Sequence, residues 1–318
     1  MAQISILKRG FDAVKAYSLY LAFIVIFIVF SFLNPNFLSV NNILNIVVQS
    51  SIIAIIAVGQ TMVILTSGID LSVGSIVGAV GVGVGMLMVA GVSIPLALVL
   101  GILLGGVFGA INGLIISYGR VPAFIGTLGM MGIARGIALA AKNGEPVSGL
   151  PKAFELIAST RIAGIPSFVF YVIIIFIIMF IVLERTKFGR HIYAIGGNRD
   201  AARLSGVNVK IVETLVYIFS GLFAGIGAIL LTARLNYATP TAGNSYELDT
   251  IAAVVIGGTA LSGGQGKIIG TLVGALMLGI LRNGLTILNI SSFYQQIIIG
   301  AVIIIAVFAD KIKDKKAN

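Results

Sequence analysis

The sequence has no cysteine, a single histidine and very few charged residues. Without cysteine it cannot form disulfides, thiolate nucleophiles or cysteine-based metal sites. The lone histidine, His191, lies in a basic segment. Charged residues make up 10% of the 318 positions, whereas soluble domains carry about 25%. The chain is therefore not an ordinary soluble domain.

Enzyme-type motifs are missing from the sequence as well. It contains no metal-binding cluster, no Ser–His–Asp set and no pair of carboxylates at catalytic spacing. The stretch SGGQGK at 262–267 resembles part of a phosphate-binding P-loop, G-x-x-x-x-G-K-[ST]. However, Leu261 stands at the first glycine position and Ile268 at the Ser/Thr position. We expect a tight glycine turn between two membrane helices there, with no catalytic residue, metal site or cofactor in this chain.

Apolar residues make up 58% of the chain and form long continuous runs. About 20 such residues cross roughly 30 Å of hydrocarbon as a helix, and continuous runs favour helices over a barrel. The sequence predicts an all-α, polytopic membrane protein in contact with lipid, with about ten transmembrane helices. The segment 249–262 is short for a crossing and could be re-entrant. The spans are expected near 17–33, 42–66, 72–91, 94–117, 122–141, 167–184, 211–233, 249–262, 268–286 and 293–309.

The net charge of +10 is explained by membrane topology and does not require a nucleic-acid partner. Cytoplasmic loops of membrane proteins are enriched in lysine and arginine. With these spans, one side carries 15 such residues and the other side 4, so both termini are expected in the cytoplasm. The expected organisation is a single domain over 1–318, embedded over about 17–309, with outer loops 34–41, 142–166 and 234–248 and a cytoplasmic tail at 310–318.

Few ionisable residues lie within the expected spans, and such residues are functional candidates by default. Asp70, in TSGIDLSVGS at 66–75, could cap the helix that follows or contact a solute directly. Arg135 must face protein or water, and Arg282 can extend its charge towards the outer interface. Glu247 and Asp249 are expected at a solvated helix start, with Asn244 or Ser245 as a possible cap.

Other polar residues in or near the spans could line a solute pathway, although hydrogen bonding between helices explains them equally well. The pathway candidates are Gln60, Thr66, Ser67, Asp70, Asn112, Thr127, Arg135 and Asn283.

Glycine is abundant, with 40 residues, and part of it recurs every four positions, as in Gly101, Gly105, Gly109 and Gly113. Small residues at this spacing let membrane helices approach closely. The sequence also repeats itself: shifted by 196 residues, 57–80 matches 253–276 at eight of 24 positions. A true repeat would give a broken or re-entrant helix unit in each half, as in transporters that bind near the midplane.

The shortage of intramembrane carboxylates bears on the energy source. Ion-coupled transporters usually place carboxylates in the membrane, and here Asp70 is the main candidate. The sequence therefore favours a transporter whose energy comes from a partner. An ion-coupled secondary transporter or channel for a small polar solute remains the alternative, and a membrane enzyme is disfavoured.

The segment 185–210 is the longest basic loop on the expected cytoplasmic side. Within it, Asn198 is a suitable N-cap and Gly206 a suitable C-cap for a short surface helix. Such a helix could dock a partner; the alternative is an ordinary basic linker.

Several stretches resemble the permease subunits of bacterial ABC sugar importers, most closely the ribose permease group. They are NPNFLSVNN (34–42), GQTMVILTSGIDLSVGS (59–75), YGRVPAFIGTLGMM (118–131), GRHIYAIGGNRDAARLSGVNV (189–209), ARL…PTAGNSYELDTIAAVVIGGTALSGGQG (233–266) and GTLVGALMLGILRNGL (270–285).

The resemblance implies a subunit of the bacterial inner membrane that translocates a monosaccharide, with ribose the first expectation. It also implies three partners: a second permease subunit, a cytoplasmic ATPase that uses the ATP, and a soluble sugar-binding protein that delivers the ligand. The coupling loop to the ATPase would comprise Gly196, Gly197, Asn198, Ala201, Ala202, Arg203, Leu204, Ser205 and Gly206.

Overall fold

The computed structural model describes residues 18–317, so the basic N-terminal residues Lys8, Arg9 and Lys15 lie outside the described part. The helices are α1 (Ser18–Leu33), α2 (Val40–Leu65), α3 (Val73–Val89), α4 (Ile94–Ser117), α5 (Ala123–Ala140), α6 (Lys152–Ser159), α7 (Ser167–Arg185), α8 (Lys187–Gly197), α9 (Arg199–Leu204), α10 (Val209–Leu235), α11 (Tyr246–Ile256), α12 (Ile268–Ile287) and α13 (Ser292–Ala317). A short 3-10 helix (Pro35–Leu38) and a small hairpin, β1 (Arg161–Ile162) with β2 (Ile165–Pro166), complete the described elements.

Within the described residues 18–317, six helices are long and apolar enough to cross a membrane: α2, α4, α5, α7, α10 and α12. The predicted all-α, polytopic class is thereby confirmed, whereas the count of about ten crossings stays a prediction. The expected span 249–262 is wrong as a continuous helix: α11 has 11 residues and ends at Ile256. Gly257 and Gly258 follow, and Gly258 has a φ of +88°, which a helix cannot continue through. At the other end of the chain, α13 continues as a helix into the expected tail.

Helix α2 forms the centre of the core. From Ala54 to Leu65 every one of its residues is buried, and α10, α12 and α11 pack around it. Continuous burial explains why α2 carries apolar residues all round instead of on one stripe.

The glycine spacing on α4 positions α10. A β-carbon at Gly105 would collide with the Gly221 carbonyl, and one at Gly109 with the Tyr217 carbonyl. The two helices therefore touch through their backbones, as the four-residue spacing predicted. The same contact recurs between α11 and α12, where Gly274 packs against Ala253.

The bundle has two distinct ends. We call the end with the segment 186–208 the basic face. The opposite end, which we call the hairpin face, carries the β1–β2 hairpin and the segment 236–245. Two spanning helices fix this arrangement: α7 leads from the hairpin to Thr186, and α10 leads from Asn208 to Asn236. On the hairpin face, Val147 and Ala238 exchange backbone hydrogen bonds of 2.8 and 3.0 Å.

Candidate functional site

The first helix break, residues 66–72, separates α2 from α3. Helix α2 stops because Ser67 adopts a left-handed conformation, with a φ of +63°. The next residue has no room for a side chain, since a β-carbon at Gly68 would lie 2.6 Å from the Tyr217 hydroxyl. The break is thus built by its own sequence and by close packing against α10.

Asp70 lies at the centre of this break and is fully buried. One carboxylate oxygen accepts from the Ser72 amide at 2.9 Å and from the Ser72 hydroxyl at 2.6 Å. The other accepts from the Ser220 hydroxyl of α10 at 2.8 Å. Ser220 comes this close because Gly59 leaves space for its backbone. The carboxylate therefore ties the break to α10.

The structure corrects the capping interpretation of Asp70. Helix α3 begins at Val73 with Ser72 as its N-cap residue, and no side chain caps it. Asp70 binds the N–H of Ser72 itself, so it forms a local turn and not a helix cap. Its side chain is fully buried, and direct contact with a solute stays a prediction.

Three of the other pathway candidates surround the same break. Asn112 of α4 donates to the Ser72 hydroxyl at 2.9 Å, and Thr127 of α5 donates to the Ile69 carbonyl at 3.1 Å. With its amide oriented to satisfy both contacts, Gln60 bonds the Asp70 backbone N–H and C=O at 3.3 and 3.1 Å. These side chains hold the break in place from α2, α4 and α5.

Of the remaining candidates, Asn283 and Arg135 lie away from this break, whereas Thr66 and Ser67 belong to it. Asn283 exchanges two hydrogen bonds, of 2.8 and 2.9 Å, with Asn42. This is hydrogen bonding between helices, the alternative to lining a pathway.

Arg135 faces protein, as expected: it donates to the Pro240 carbonyl and, at 3.0 Å, to the Ala242 carbonyl. It thereby fastens the segment 236–245 against α3, where Gly78 leaves room for it. Thr66 and Ser67 line a cavity on the basic face.

A second break, residues 257–267, separates α11 from α12 and has the expected glycine turn. Gly263 and Gly264 have positive φ angles of +87° and +72°. The two breaks touch: the Gly264 amide donates to the Leu65 carbonyl at 3.0 Å, and Ser67 donates to the Ser262 carbonyl at 2.7 Å. The end of α2 therefore completes its hydrogen bonds on the second break.

The 196-residue repeat agrees with this arrangement. Shifted back by 196 positions, the first residue of α12, Ile268, falls on position 72, one residue before α3 begins at Val73. The helices that precede the breaks end at different positions. The last residue of α11, Ile256, falls on position 60, whereas α2 continues to Leu65. The sequence repeat thus corresponds to two helix–break–helix units, the second with a longer break.

The basic loop folds into two helices. Thr186 caps α8 by accepting from the Gly189 amide at 3.2 Å, and Asn198 caps α9 by accepting from the Ala201 amide at 2.9 Å. Gly206 ends α9 with a φ of +86°, and its amide donates to the Arg203 carbonyl at 3.0 Å. The predicted short helix and its N-cap are confirmed; the C-cap residue is Ser205, and Gly206 is the left-handed residue that follows it.

The loop helices contact both breaks. A β-carbon at Gly196 would collide with the Leu65 carbonyl and the Gly264 amide. The Tyr193 hydroxyl donates to the Gly266 carbonyl at 3.0 Å. Burial, together with the Glu184 carboxylate, raises the pKa of Tyr193 to about 12, so this donor stays protonated at neutral pH. Helix α8 thus contacts both breaks.

Two ion pairs with a buried carboxylate were not predicted from the sequence. Arg199, the first residue of α9, forms a bidentate pair with Glu213 of α10, with Nη2 and Oε2 2.8 Å apart. Glu213 is only 3% exposed. Its position inside the expected span 211–233 was the available signal, since an acidic residue there requires a partner.

The second ion pair corrects one expectation. Asp249 is not solvated but buried, with 2% exposure, and its oxygens accept from Arg282 Nη2 at 2.6 and 2.7 Å. The Arg282 side chain stays partly exposed in this pair. Ser245 precedes α11 as the N-cap residue, without a side-chain cap.

Comparisons with known proteins agree with this architecture. A family model described as "Branched-chain amino acid transport system / permease component" matches residues 42–307. The ribose import permease protein of Escherichia coli K12 is 46% identical over 297 residues, which cover 92% of each chain. The ribose import permease protein of Bacillus subtilis 168 is 46% identical over 296 residues, again 92% of each chain. The D-allose transport system permease protein of Escherichia coli K12 is 40% identical, covering 94% of this chain and 92% of its own.

No solved structure matches. The matched region contains both helix breaks, α8, α9 and both buried ion pairs. The chain therefore belongs to the permease-component family of membrane transport systems, together with the ribose import permeases that it matches over nearly their whole length.

Proposed function

We propose that this chain is the membrane-spanning subunit of an ABC importer and translocates a monosaccharide of the ribose type. The observation that carries the proposal is the 46% identity to ribose import permeases over 92% of both chains. The D-allose relative at 40% identity supports a sugar as the substrate class. In the proposed assembly, a soluble binding protein delivers the sugar and a separate ATPase hydrolyses ATP.

The proposed topology has ten membrane helices and both termini in the cytoplasm of a bacterial cell. The six long helices would cross together with α1, α3 and α13, whose apolar parts are shorter. Helix α11 would enter the membrane from the hairpin face and stop at the second break. The basic face would be the cytoplasmic side. The excess of lysine and arginine on that side supports this orientation.

The segment Gly196–Gly206 is proposed to dock the ATPase. Its cap hydrogen bonds make α9 a short rigid element, and the Leu204 side chain on it is 84% exposed. An exposed leucine next to the basic residue Arg203 suits an apolar contact with a polar rim on a partner. Because Gly196 packs against both breaks, rigid-body movement of this segment would change the breaks.

Two permease subunits are proposed to form the pathway. Much of α5 presents apolar side chains on the surface, such as Phe124, Ile133 and Ile137. Lipid and a second copy of the chain are both apolar enough to cover this helix.

The ion-coupled alternative finds less support. It requires a carboxylate that an ion or solute reaches, but Asp70 is fully buried within hydroxyl and amide donors. Asp249 is engaged by Arg282, and Glu213, which lines a cavity on the basic face, has its charge neutralised by Arg199.

Reconstituted uptake tests the proposal. Vesicles holding this chain with its ATPase and binding protein should accumulate labelled ribose only when ATP is supplied. Vesicles with the chain alone, under an ion gradient, are the control. Robust uptake in the control vesicles would refute the ABC assignment, and parallel assays with xylose and galactose would rank the sugars.

A further inference from the structure

A cavity of about 310 Å³ lies on the basic face, directly beside the first break. Its wall is formed by Thr66, Ser67 and Gly68 of the break, by residues 120–123 before and at the start of α5, and by Arg199, Glu213 and Tyr217. The volume is at the lower end of the range for small-molecule sites, about 300–1,000 Å³.

The Tyr217 hydroxyl is the unexplained group in this wall. Tyr217 is 2% exposed, and its hydroxyl has no hydrogen-bond partner among the described residues 18–317. A buried hydroxyl without a partner is unfavourable, and native structures leave few of them. The hydroxyl also lies next to Gly68, so it borders the break itself. A bound molecule with hydrogen-bonding groups would satisfy it.

The other polar groups of the wall define which molecule fits. The Arg199 side chain is 57% exposed, so it has donors left after pairing with Glu213. Each Glu213 oxygen accepts from one guanidinium nitrogen and can accept a second bond. The paired charges cancel, so neither an anion nor a cation is selected by this pair. Arg120, a third charged residue of the wall, is exposed to solvent and can donate to hydroxyl oxygens as well. Hydroxyl groups both donate and accept, and they match a guanidinium, a carboxylate and a phenol together.

We propose that this cavity is a subsite for a neutral polyhydroxylated solute on the basic side of the first break, with Tyr217, Arg199 and Glu213 as its hydrogen-bonding groups. The inference rests on the proposed function, since the monosaccharide being transported is the solute that would reach it. The subsite holds the sugar after it has passed the break and before release.

The absence of cysteine provides a direct test. Ala123 lies in the cavity wall and is half-buried, so Ala123→Cys introduces a single reactive thiol. Open membrane fragments containing this variant are treated with a maleimide in the presence of ribose. We expect ribose to slow labelling. In the Ala123→Cys, Tyr217→Phe double variant, half-protection should need about fivefold more ribose, the loss of one hydrogen bond.

Three controls separate binding from general effects. Leu204→Cys, on the same face and outside the cavity, should be labelled at a rate that ribose does not change. Tyr118→Phe, combined with Ala123→Cys, makes the same chemical change at an exposed tyrosine outside the wall and should leave protection intact. Tyr217→Phe should not lower the melting temperature, because the hydroxyl it removes has no protein partner. If Ala123→Cys does not fold, Val121→Cys in the same wall replaces it.

The outcomes for the subsite and for the proposed function differ. A complex that imports ribose, with a thiol at 123 or 121 that no tested sugar protects, would overturn the subsite and leave the proposed function standing. Protection by inorganic phosphate in place of sugar would also overturn it. Failure of the wild-type complex to import ribose, xylose or galactose would instead count against the proposed function.

Discussion

The Arg199 guanidinium donates hydrogen bonds to both carboxylate oxygens of Glu213, and this pair joins the first turn of α9 to the first turns of α10. The loop helix is thus fixed to a spanning helix by an ion pair whose acidic member is buried.

Arg199→Ala should therefore destabilise the protein by about 1–3 kcal/mol. Removing one partner of a buried pair typically costs about 3–5 kcal/mol, and the half-exposed arginine lowers that figure. Thermal melting in detergent measures the loss. Arg203→Ala is the matched control, because its pair with Asp200 is exposed on both sides and should change stability by less than about 0.5 kcal/mol. Equal effects of the two variants would contradict the role given to Glu213.

Asp70→Asn should lower the yield of folded protein. The carboxylate accepts from three donors, whereas the amide offers one acceptor oxygen and adds donors. Loss of one or two buried hydrogen bonds corresponds to about 1–3 kcal/mol. Detergent melting curves report the stability, and uptake is measured on the folded fraction. Ser220→Ala removes only one of these bonds and should be milder. A stable Asp70→Asn protein with abolished uptake would show that the charge itself serves transport.

Gly196→Ala should impair both stability and coupling. The added methyl group collides with the Leu65 carbonyl and with Gly264, and overpacking of this kind costs about 1–3 kcal/mol. Gly197→Ala is a strict control, since a β-carbon there meets nothing within 4 Å. ATP-driven uptake and melting temperature should fall for Gly196→Ala alone. If both alanine variants behaved like the wild type, α8 would not be packed on the breaks as described.

Leu204→Gln should weaken ATPase association without unfolding the membrane part. The side chain is 84% exposed, so the substitution should alter intrinsic stability by less than about 0.5 kcal/mol. Co-purification with the ATPase, followed by uptake, measures the coupling. Arg203→Glu should act in the same direction by reversing a charge on the same helix. Gly206→Pro is less informative, because proline cannot adopt the φ of +86° found at this position. The variant would lose α9 itself, so weaker ATPase binding would not report on docking alone. Undiminished ATPase binding by Leu204→Gln would argue against docking at α9.

Arg282→Gln should destabilise the hairpin-face half, because it leaves the buried Asp249 carboxylate without its partner. A loss of about 2–4 kcal/mol is expected, somewhat below the full cost for a buried pair, since Arg282 is partly exposed. The Asp249→Asn, Arg282→Gln double variant removes both charges and should be more stable than Arg282→Gln alone. Melting curves of the wild type, both single variants and the double variant form the required cycle. Simple additivity would mean that the pair contributes nothing.

The sequence alone determined the features that depend on local composition. Apolar runs predict helices because backbone groups in lipid must bond within their own segment. Asn198 and Gly206 predict the ends of α9 because capping involves residues three or four positions apart. The repeat between 57–80 and 253–276 predicts two broken units, and the glycines of α4 predict a backbone contact.

The tertiary structure decided which of the polar residues meet. Asp70 with Ser220, Arg199 with Glu213 and Asp249 with Arg282 are separated by 150, 14 and 33 positions, so no local pattern pairs them. Their partners depend on how helices pack, and that packing is set by shape at positions such as Gly59 and Gly105. Burial follows from the same packing, which is why a carboxylate expected in solvent at Asp249 lies in the interior.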